Sequence, residues 1–425
     1  MEVFDRLLAD NQIPRFVRVH HEMNAQHIED LRAAVHHALQ RKGTLDCIRP
    51  GQSVCLTAGS RDVANIAEIL RALCDELKAV GAKPFIIPAM GSHAGANAEG
   101  QLGILAGYGI TEETMDVPIH SSMETEVIGY SKSGLEIHID KYANAADYII
   151  PVGRIKAHTD FRGPIESGMC KMMVIGMGKQ HGAYQCHKLG FKTMAANVME
   201  FADVIRRAKP NLFCVGLIEN AYHQTCRIEA VPNDRILEEE PGLLEYAKSR
   251  MARIPFEEAD ILFVDEVGKD ISGAGMDPNV TGRSPILGVS KPFFQRIAVF
   301  DLTDKSHGNF GGLGSADVTT QRLYRKIDFV QTYPNGITAA DPVAVKIPVV
   351  MPSDRTAMQF ALRTATDCDW EKGPRIVWLK NTLSLSDFYI SEALVEAAGK
   401  IPNLTIGGEP FEIVFDEEGG IVRES

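Results

Sequence analysis

The sequence predicts an α/β protein of two domains, each built on parallel strands. Three observations predict it. Apolar runs of strand length alternate with amphipathic stretches at helical spacing. Several of those runs end in loops rich in glycine and polar residues. The alternation starts again after an acidic, proline-bearing stretch near residue 240, and 425 residues suffice for two hydrophobic cores.

The elements follow in order. Asn24 is the expected N-cap of a helix in which Ile28, Leu31, Val35 and Leu39 share one face and Gly43 marks the end. Val54 to Thr57 reads as a buried strand running into the turn Ala58-Gly59-Ser60-Arg61. Ile66, Ile69, Leu70, Leu73, Leu77 and Val80 then line one face of a helix that Gly81 ends, and Pro84 to Pro88 is the next strand. Two strands joined by a helix lie parallel with a right-handed crossover, and ligands of such sheets bind beyond the carboxyl ends. The loops Gly59–Arg61 and Met90–Gly95 are therefore the ones to watch. Asp147 to Ile150 is a further strand. A long loop, 153–168, leads into the apolar segment Met172 to Gly178, then a helix through Met194, Val198, Phe201 and Ile205, then the strand Phe213 to Ile218. Pro232, Asn233 and the run Glu238-Glu239-Glu240-Pro241 read as a surface connection. Beyond it, Ile261 to Asp265, Ile297 to Asp301, Ile376 to Leu379 and Phe411 to Phe415 are strands. The expectation is two Rossmann-like α/β domains, 1–250 and 251–425, with an active-site cleft between them.

Composition excludes several classes of function. The chain carries 44 basic and 56 acidic side chains, a net charge of -12, and no basic stripe, so a nucleic-acid partner is not expected. Its longest apolar runs fall far short of the ~20 residues of a membrane helix. The opening residues Met1 to Arg6 lack the basic start of a signal peptide. Eight scattered cysteines without a C-x-x-C pair suit reduced thiols and a cytoplasmic address.

Four residues carry the candidate chemistry. His93, in Gly91-Ser92-His93-Ala94-Gly95, and His158, in Lys156 to Gly163, both follow strands, and imidazole is the acid–base group suited to neutral pH. Gly163 to Lys171 lacks the spacing of a phosphate-binding P-loop, because the lysine does not follow the second glycine directly. Its glycines can still expose amides to a phosphate. Lys171 precedes Met172-Met173-Val174-Ile175, so its stem is expected to be buried. A desolvated lysine is a nucleophile or a site of covalent attachment; the alternative is an ion pair with Glu166 or Asp160. His187 enters the next helix as a candidate metal ligand or a surface residue.

This pattern of His93, His158, Lys171 and His187 on an α/β scaffold resembles the LarA-like lactate racemase family, the nickel-pincer nucleotide enzymes. The resemblance is strongest over 91–95 and 153–187. It implies a cytoplasmic isomerase, a racemase or epimerase of a 2-hydroxy acid, working by reversible hydride transfer. Lys171 then holds the nickel-pincer nucleotide through a thioamide, with Arg61, Gly91, Ser92 and Gly168 around it. His187 ligates nickel, and His93 and His158 act as acid and base. Implied partners are the cofactor-maturation enzymes and the small acid; a homo-oligomer is left open. In the second domain, Lys269, Asn279, Arg283 and His307 lie in polar loops and stand as substrate contacts. They suggest a substrate larger or more hydroxylated than lactate. The competing reading is a metal-dependent hydrolase or lyase in which His93, His158 and His187 bind zinc directly.

Overall fold

A computed structural model describes residues 2–60, 63–284, 291–339 and 341–423. The chain forms two compact units, Asn24–Met251 and Ala252–Ser425 joined by Met1–Met23. The first strand, β1 (Phe16–His21), belongs to the latter unit, pairing with two strands near the end of the chain. This corrects the assignment of residues 1–23 to the first domain. The reason is the pattern of Phe16, Val17 and Val19, a half-buried strand that finds its sheet almost 400 residues away.

In the unit 24–251, β2 (Ser53–Ala58), β3 (Lys83–Pro88) and β6 (Tyr148–Ile150) make a parallel sheet in the order β3-β2-β6. Between them in sequence lies the antiparallel pair β4 (Thr125–Tyr130) and β5 (Glu136–Asp140). A second small sheet joins β7 (Val152–Arg154), β8 (Phe213–Glu219) and β9 (Thr225–Pro232). Alternation along β2 sorts its side chains: Val54 and Leu56 pack under the helices Leu31–Arg41 and Ile66–Ala79, while Cys55 faces the core that holds Met173 and Val174. The first of those helices is capped by Asp30, whose side chain accepts from Ala33 N–H at 2.9 Å, six residues later than the expected cap at Asn24. The run Glu238 to Pro241 is not a surface connection. It lies inside the helix Ile236–Arg250, with Glu240 fully buried. Its hydrophobic neighbours Ile236, Leu243, Leu244 and Ala247 share one face, and the charges concealed that period.

In the other unit, β10 (Glu258–Val267), β11 (Phe293–Leu302), β12 (Val318–Thr320), β13 (Val349–Met351) and β14 (Ile376–Leu379) run parallel. β15 (Asp387–Ser391), β1 and β16 (Leu404–Phe411) extend the sheet antiparallel, giving the order β13-β12-β11-β10-β14-β15-β1-β16. The expected strand at Phe411 to Phe415 is displaced, because the ladder to β1 uses Leu404 to Phe411 instead. No described helix is long and apolar enough to cross a membrane.

Candidate functional site

β2 leads through its helix to β3 on one side, while β6 joins β2 on the other. The strand order therefore reverses beside β2, the place where an open parallel sheet offers a crevice at its carboxyl ends. Ala58-Gly59-Ser60 leaves β2 there, and Ala89 to His93 leaves β3. Both loops press on the segment that follows Lys171. A Cβ on Gly59 would stand 3.1 Å from Met172 Cε, and one on Gly91 3.2 Å from Ile175 Cγ2. Gly91 also has φ +60°, a conformation that a side chain would strain.

His93 stands at the mouth of this crevice, part-buried. Its Nδ1 is hydrogen-bonded to Ser60 Oγ. The carbonyl of Ser60 accepts from Tyr108 OH at 2.7 Å, and buried Gln101 donates to the carbonyls of Gly91 and His93 at 3.2 and 3.3 Å. A hydroxyl both donates and accepts, so Ser60 supports either neutral tautomer of the ring.

His158 is held by its backbone. Its N–H donates to Glu166 Oε2 at 2.7 Å, and its carbonyl accepts from Arg162 Nη1 at 2.5 Å. Glu166 is itself buried and paired with Lys248 at 3.0 Å and Arg162 at 3.4 Å. These cations occupy the carboxylate that stood as an alternative partner of Lys171. The Lys171 amine instead meets His158 Nε2. On the ring's other side, Asp160 N–H donates to Nδ1 at 2.9 Å, and the Phe161 ring packs 4.3 Å away.

Lys171 ends a single helical turn, Met169–Lys171, and a π-helical turn, Met172–Gly176, follows directly. Such turns concentrate at functional sites, because the extra residue redirects the side chains beside it. Behind the turn, Glu240 Oε2 accepts Cys170 N–H at 3.0 Å, and burial pushes this carboxyl up to about 7. A Cβ on Gly168 would fall 2.0 Å from Glu240 Oε1, so a side chain there would push the carboxyl aside.

His187 closes the helix Lys179–His187. Its Nδ1–H donates to Ala183 O at 2.6 Å, which places the lone pair of the neutral ring on Nε2. Burial holds its pKa below the ordinary histidine value; the Ala183 bond opposes that and the nearby Lys171 charge reinforces it. At the start of the same helix, Lys179 is fully buried with Asp140 at 3.2 Å and also bonds the carbonyl of Pro88, the last residue of β3.

The structure thus joins His158 to Lys171 directly, keeps His187 within electrostatic reach of Lys171, and packs the His93 loop on residues 172–176. Ser92 is exposed beside His93, and Arg61 lies outside the described residues. Among the described residues, no three His, Cys, Asp or Glu side chains are arranged to hold a metal, so the three-histidine zinc site of the competing reading is not assembled there.

In the unit 252–425, Lys269 and His307 follow β10 and β11, at carboxyl ends. Lys269 N–H donates to Ser306 Oγ at 2.8 Å, its amine donates to Gly273 O at 2.6 Å, and His307 is exposed. Asn279 donates to Asp277 Oδ1 at 2.7 Å within a short helical turn. Arg283 lies at the opposite, amino end: it bonds Asp317 and the carbonyls of Phe294 and Gln295, at 2.7 and 3.2 Å. Its donors cross-link the strand entries, at the end of the sheet opposite Lys269 and His307.

Sequence reasoning missed Ser60, Glu240, and the pair Lys179–Asp140. Ser60 carried a signal, as it sits in a strand-end turn already singled out. Glu240 and Lys179 carried none, because buried charges look like surface charges until tertiary partners are known.

Fold and site define a class: a mixed α/β protein with a lysine and histidines gathered at the carboxyl ends of parallel strands. Residues 5–198 match the family model of the lactate racemase N-terminal domain, so this part of the chain is similar to the LarA-like family. Its fold is similar to that of the lactate racemase apoprotein from Thermoanaerobacterium thermosaccharolyticum, at 15% identity and a TM-score of 0.55 over 87% of this chain and 99% of that one. A protein from Thermotoga maritima aligns at 12% identity and a TM-score of 0.46, over 83% of this chain and 87% of that one. No curated protein sequence matches the chain.

Proposed function

We propose that the chain is a racemase or epimerase of a 2-hydroxy acid that uses a nickel-pincer nucleotide. The observation that carries the reading is the meeting of Lys171 with His158 at the strand-end crevice, with the His93 loop pressed on the same segment.

The donor set fits the cofactor. An amine is what a thioamide attachment needs, and a neutral imidazole with its Nδ1–H engaged is a nitrogen ligand for nickel. Lys171 would hold the group and His187 would ligate its metal, with Gly91, Ser92, Gly168 and Arg61 around it. When bound, the nucleotide supplies the hydride chemistry.

The protein's own work is proton transfer and orientation. The α-hydrogen beside a carboxylate is a poor acid, so inversion by direct deprotonation is costly. Oxidation to the planar keto acid avoids the carbanion but requires a base at the hydroxyl. The hydroxyl points to different sides in the two enantiomers, so two imidazoles are needed, His93 and His158. Ser60 lets His93 exchange tautomers as the direction of reaction changes. The Glu166 and Arg162 bonds to the His158 backbone hold that ring in register, which limits the reorganisation the proton transfer needs.

The test is to express the protein with the cofactor-maturation enzymes, measure its intact mass, and screen 2-hydroxy and sugar acids for inversion in deuterated solvent. An adduct on Lys171 and inversion without deuterium uptake at the α-carbon are expected. An active protein with unmodified Lys171, or deuterium at the α-carbon, would overturn the reading.

A further inference from the structure

We propose that Lys248, on the helix Ile236–Arg250, is a positioning residue for the racemase reaction: through Glu166 it sets where His158 stands relative to Lys171. The apolar stripe of that helix, Ile236, Leu243, Leu244 and Ala247, packs on the core that holds Ile155, Ile165, Met169 and Met173. Two of its polar side chains reach the stretch that runs from His158 to Lys171. Glu240 Oε2 accepts the Cys170 N–H at 3.0 Å. Lys248 Nζ pairs with Glu166 Oε1 at 3.0 Å, and the other oxygen of that carboxylate accepts the His158 N–H at 2.7 Å. Glu240 and Lys248 lie about two turns apart on one helix, so the two anchor points stand about 12 Å from each other along one rigid axis.

The two cations on Glu166 differ in where they stand. Arg162 meets the carboxylate at 3.4 Å and bonds the His158 carbonyl at 2.5 Å, but it lies on the same loop and travels with it. The loop also closes on itself at its base, where the backbones of Lys156 and Ser167 pair at 3.1 and 3.2 Å. Phe161 and Ile165 are buried in the shared core, yet apolar contact is non-directional and fixes depth rather than register. Lys248 stands on a different element, the one that also holds the Lys171 turn through Cys170. Its ion pair therefore references a loop held by its own contacts to the position of the lysine. Glu166 is fully buried and Lys248 part-buried, so salt screens this pair less than a surface pair. Glu245 meets the same amine at 3.0 Å from one turn earlier, which steadies the Lys248 side chain over its helix.

Lys248→Met keeps the length of the side chain and removes its charge. Glu166 then retains Arg162 and the His158 N–H, so no carboxylate is stranded, but the loop loses its tie to the helix. Proton transfer needs the imidazole within hydrogen-bond reach of the substrate hydroxyl, so a small drift of the ring slows turnover without weakening substrate binding. Lys248→Arg keeps a cation that reaches Glu166 and should hold the register. The inference rests on the racemase reading for the reaction it serves, and on geometry alone for the tie.

Two measurements test it. Hydrogen exchange by mass spectrometry on cofactor-free protein reads the tie: in Lys248→Met, protection over 157–163 should fall about tenfold while protection over 169–176 is unchanged, and Lys248→Arg should restore the loop. Kinetics on protein matured with the cofactor enzymes, normalised to the fraction carrying the Lys171 adduct, reads the function. There kcat for inversion should fall about 10- to 100-fold in Lys248→Met with KM within about twofold, and recover in Lys248→Arg. Equal loss of protection over both segments would mark a merely structural residue and overturn the proposal. So would unchanged exchange over 157–163, an unchanged kcat, a raised KM, or failure of Lys248→Arg to restore either quantity. If the unmutated matured protein inverts no acid, the racemase reading fails whatever the exchange shows; a split between the two segments then leaves the tie standing, and its absence removes both.

Discussion

Lys179→Met puts the buried ion pair to the test. Lys179 and Asp140 are both fully buried and 3.2 Å apart. Asp140 uses Oδ1 to cap the helix Lys141–Ala145, accepting from Tyr142 and Ala143 N–H at 2.8 and 3.1 Å, so Oδ2 is the atom that depends on the lysine. Methionine matches the stem and removes the charge. The carboxylate is then buried with one oxygen satisfied, and the Pro88 carbonyl also loses its donor. Breaking one side of such a pair costs about 3–5 kcal/mol, which corresponds to roughly 150- to 5,000-fold in a local opening equilibrium. Hydrogen exchange followed by mass spectrometry should show that loss of protection over 83–96 and 136–145, with 258–267 as the internal control. Adding Asp140→Asn should recover part of it, since an amide keeps the Oδ1 cap and needs no counter-charge. A loss below about tenfold in Lys179→Met would refute the claim that this pair, rather than general packing, ties β3 to β5 and to the helix that carries His187.

Other substitutions test the remaining assignments. Glu240 has a carboxyl raised from 4.5 to about 7, so between those values the folded chain binds more protons than the unfolded one, and stability falls as pH rises. Glu240→Gln should abolish up to about 3 kcal/mol of that fall, visible as a flatter urea midpoint between pH 5 and pH 8. Gly91→Ala forces φ +60° on an alanine against Ile175, and a loss of about 1–2 kcal/mol is expected in thermal unfolding. Arg283→Ala should cost about 1–2 kcal/mol by releasing Asp317 and three carbonyls, with KM for any turned-over acid unchanged; a raised KM would mark it as a substrate contact. His187→Ala in protein matured with the cofactor enzymes should lower bound nickel, measured by elemental analysis, while the Lys171 mass adduct persists.

The parallel β2 and β3, the helix between them, and the loops at Gly59 and Gly91 were legible because each rests on a local signal. β2 is an unbroken apolar run, the helix has one apolar face, and both loops need glycine for close approach. Residue type marked His93, His158, Lys171 and His187 for the same reason: few side chains can move protons, ligate metal or form an amide. What stayed hidden depends on partners distant in sequence. β1 looked like part of the first domain because its pairing with β15 and β16 lies beyond any local window. The Glu238–Glu240 run looked solvated because charge is the ordinary mark of surface, and only the packing of Ile236–Arg250 against the Lys171 turn shows otherwise. Arg283 shows the same dependence: a polar loop suggested a ligand, and its carbonyl and Asp317 partners across the strand entries could not be read locally.

The position of Lys171 follows from contacts that contain no catalytic chemistry. From behind, Glu240 fixes the N–H of Cys170, and Gly168 admits that carboxyl only because it lacks a Cβ. From in front, Gly59 and Gly91 let two strand-end loops close on Met172 and Ile175, and Gly176 lets the π-helical turn lie 2.9 Å, measured from its would-be Cβ, from the Ala89 carbonyl. A side chain at any of these glycines would move the lysine rather than remove it. Substitutions there should therefore displace Lys171 within the crevice and leave its presence intact.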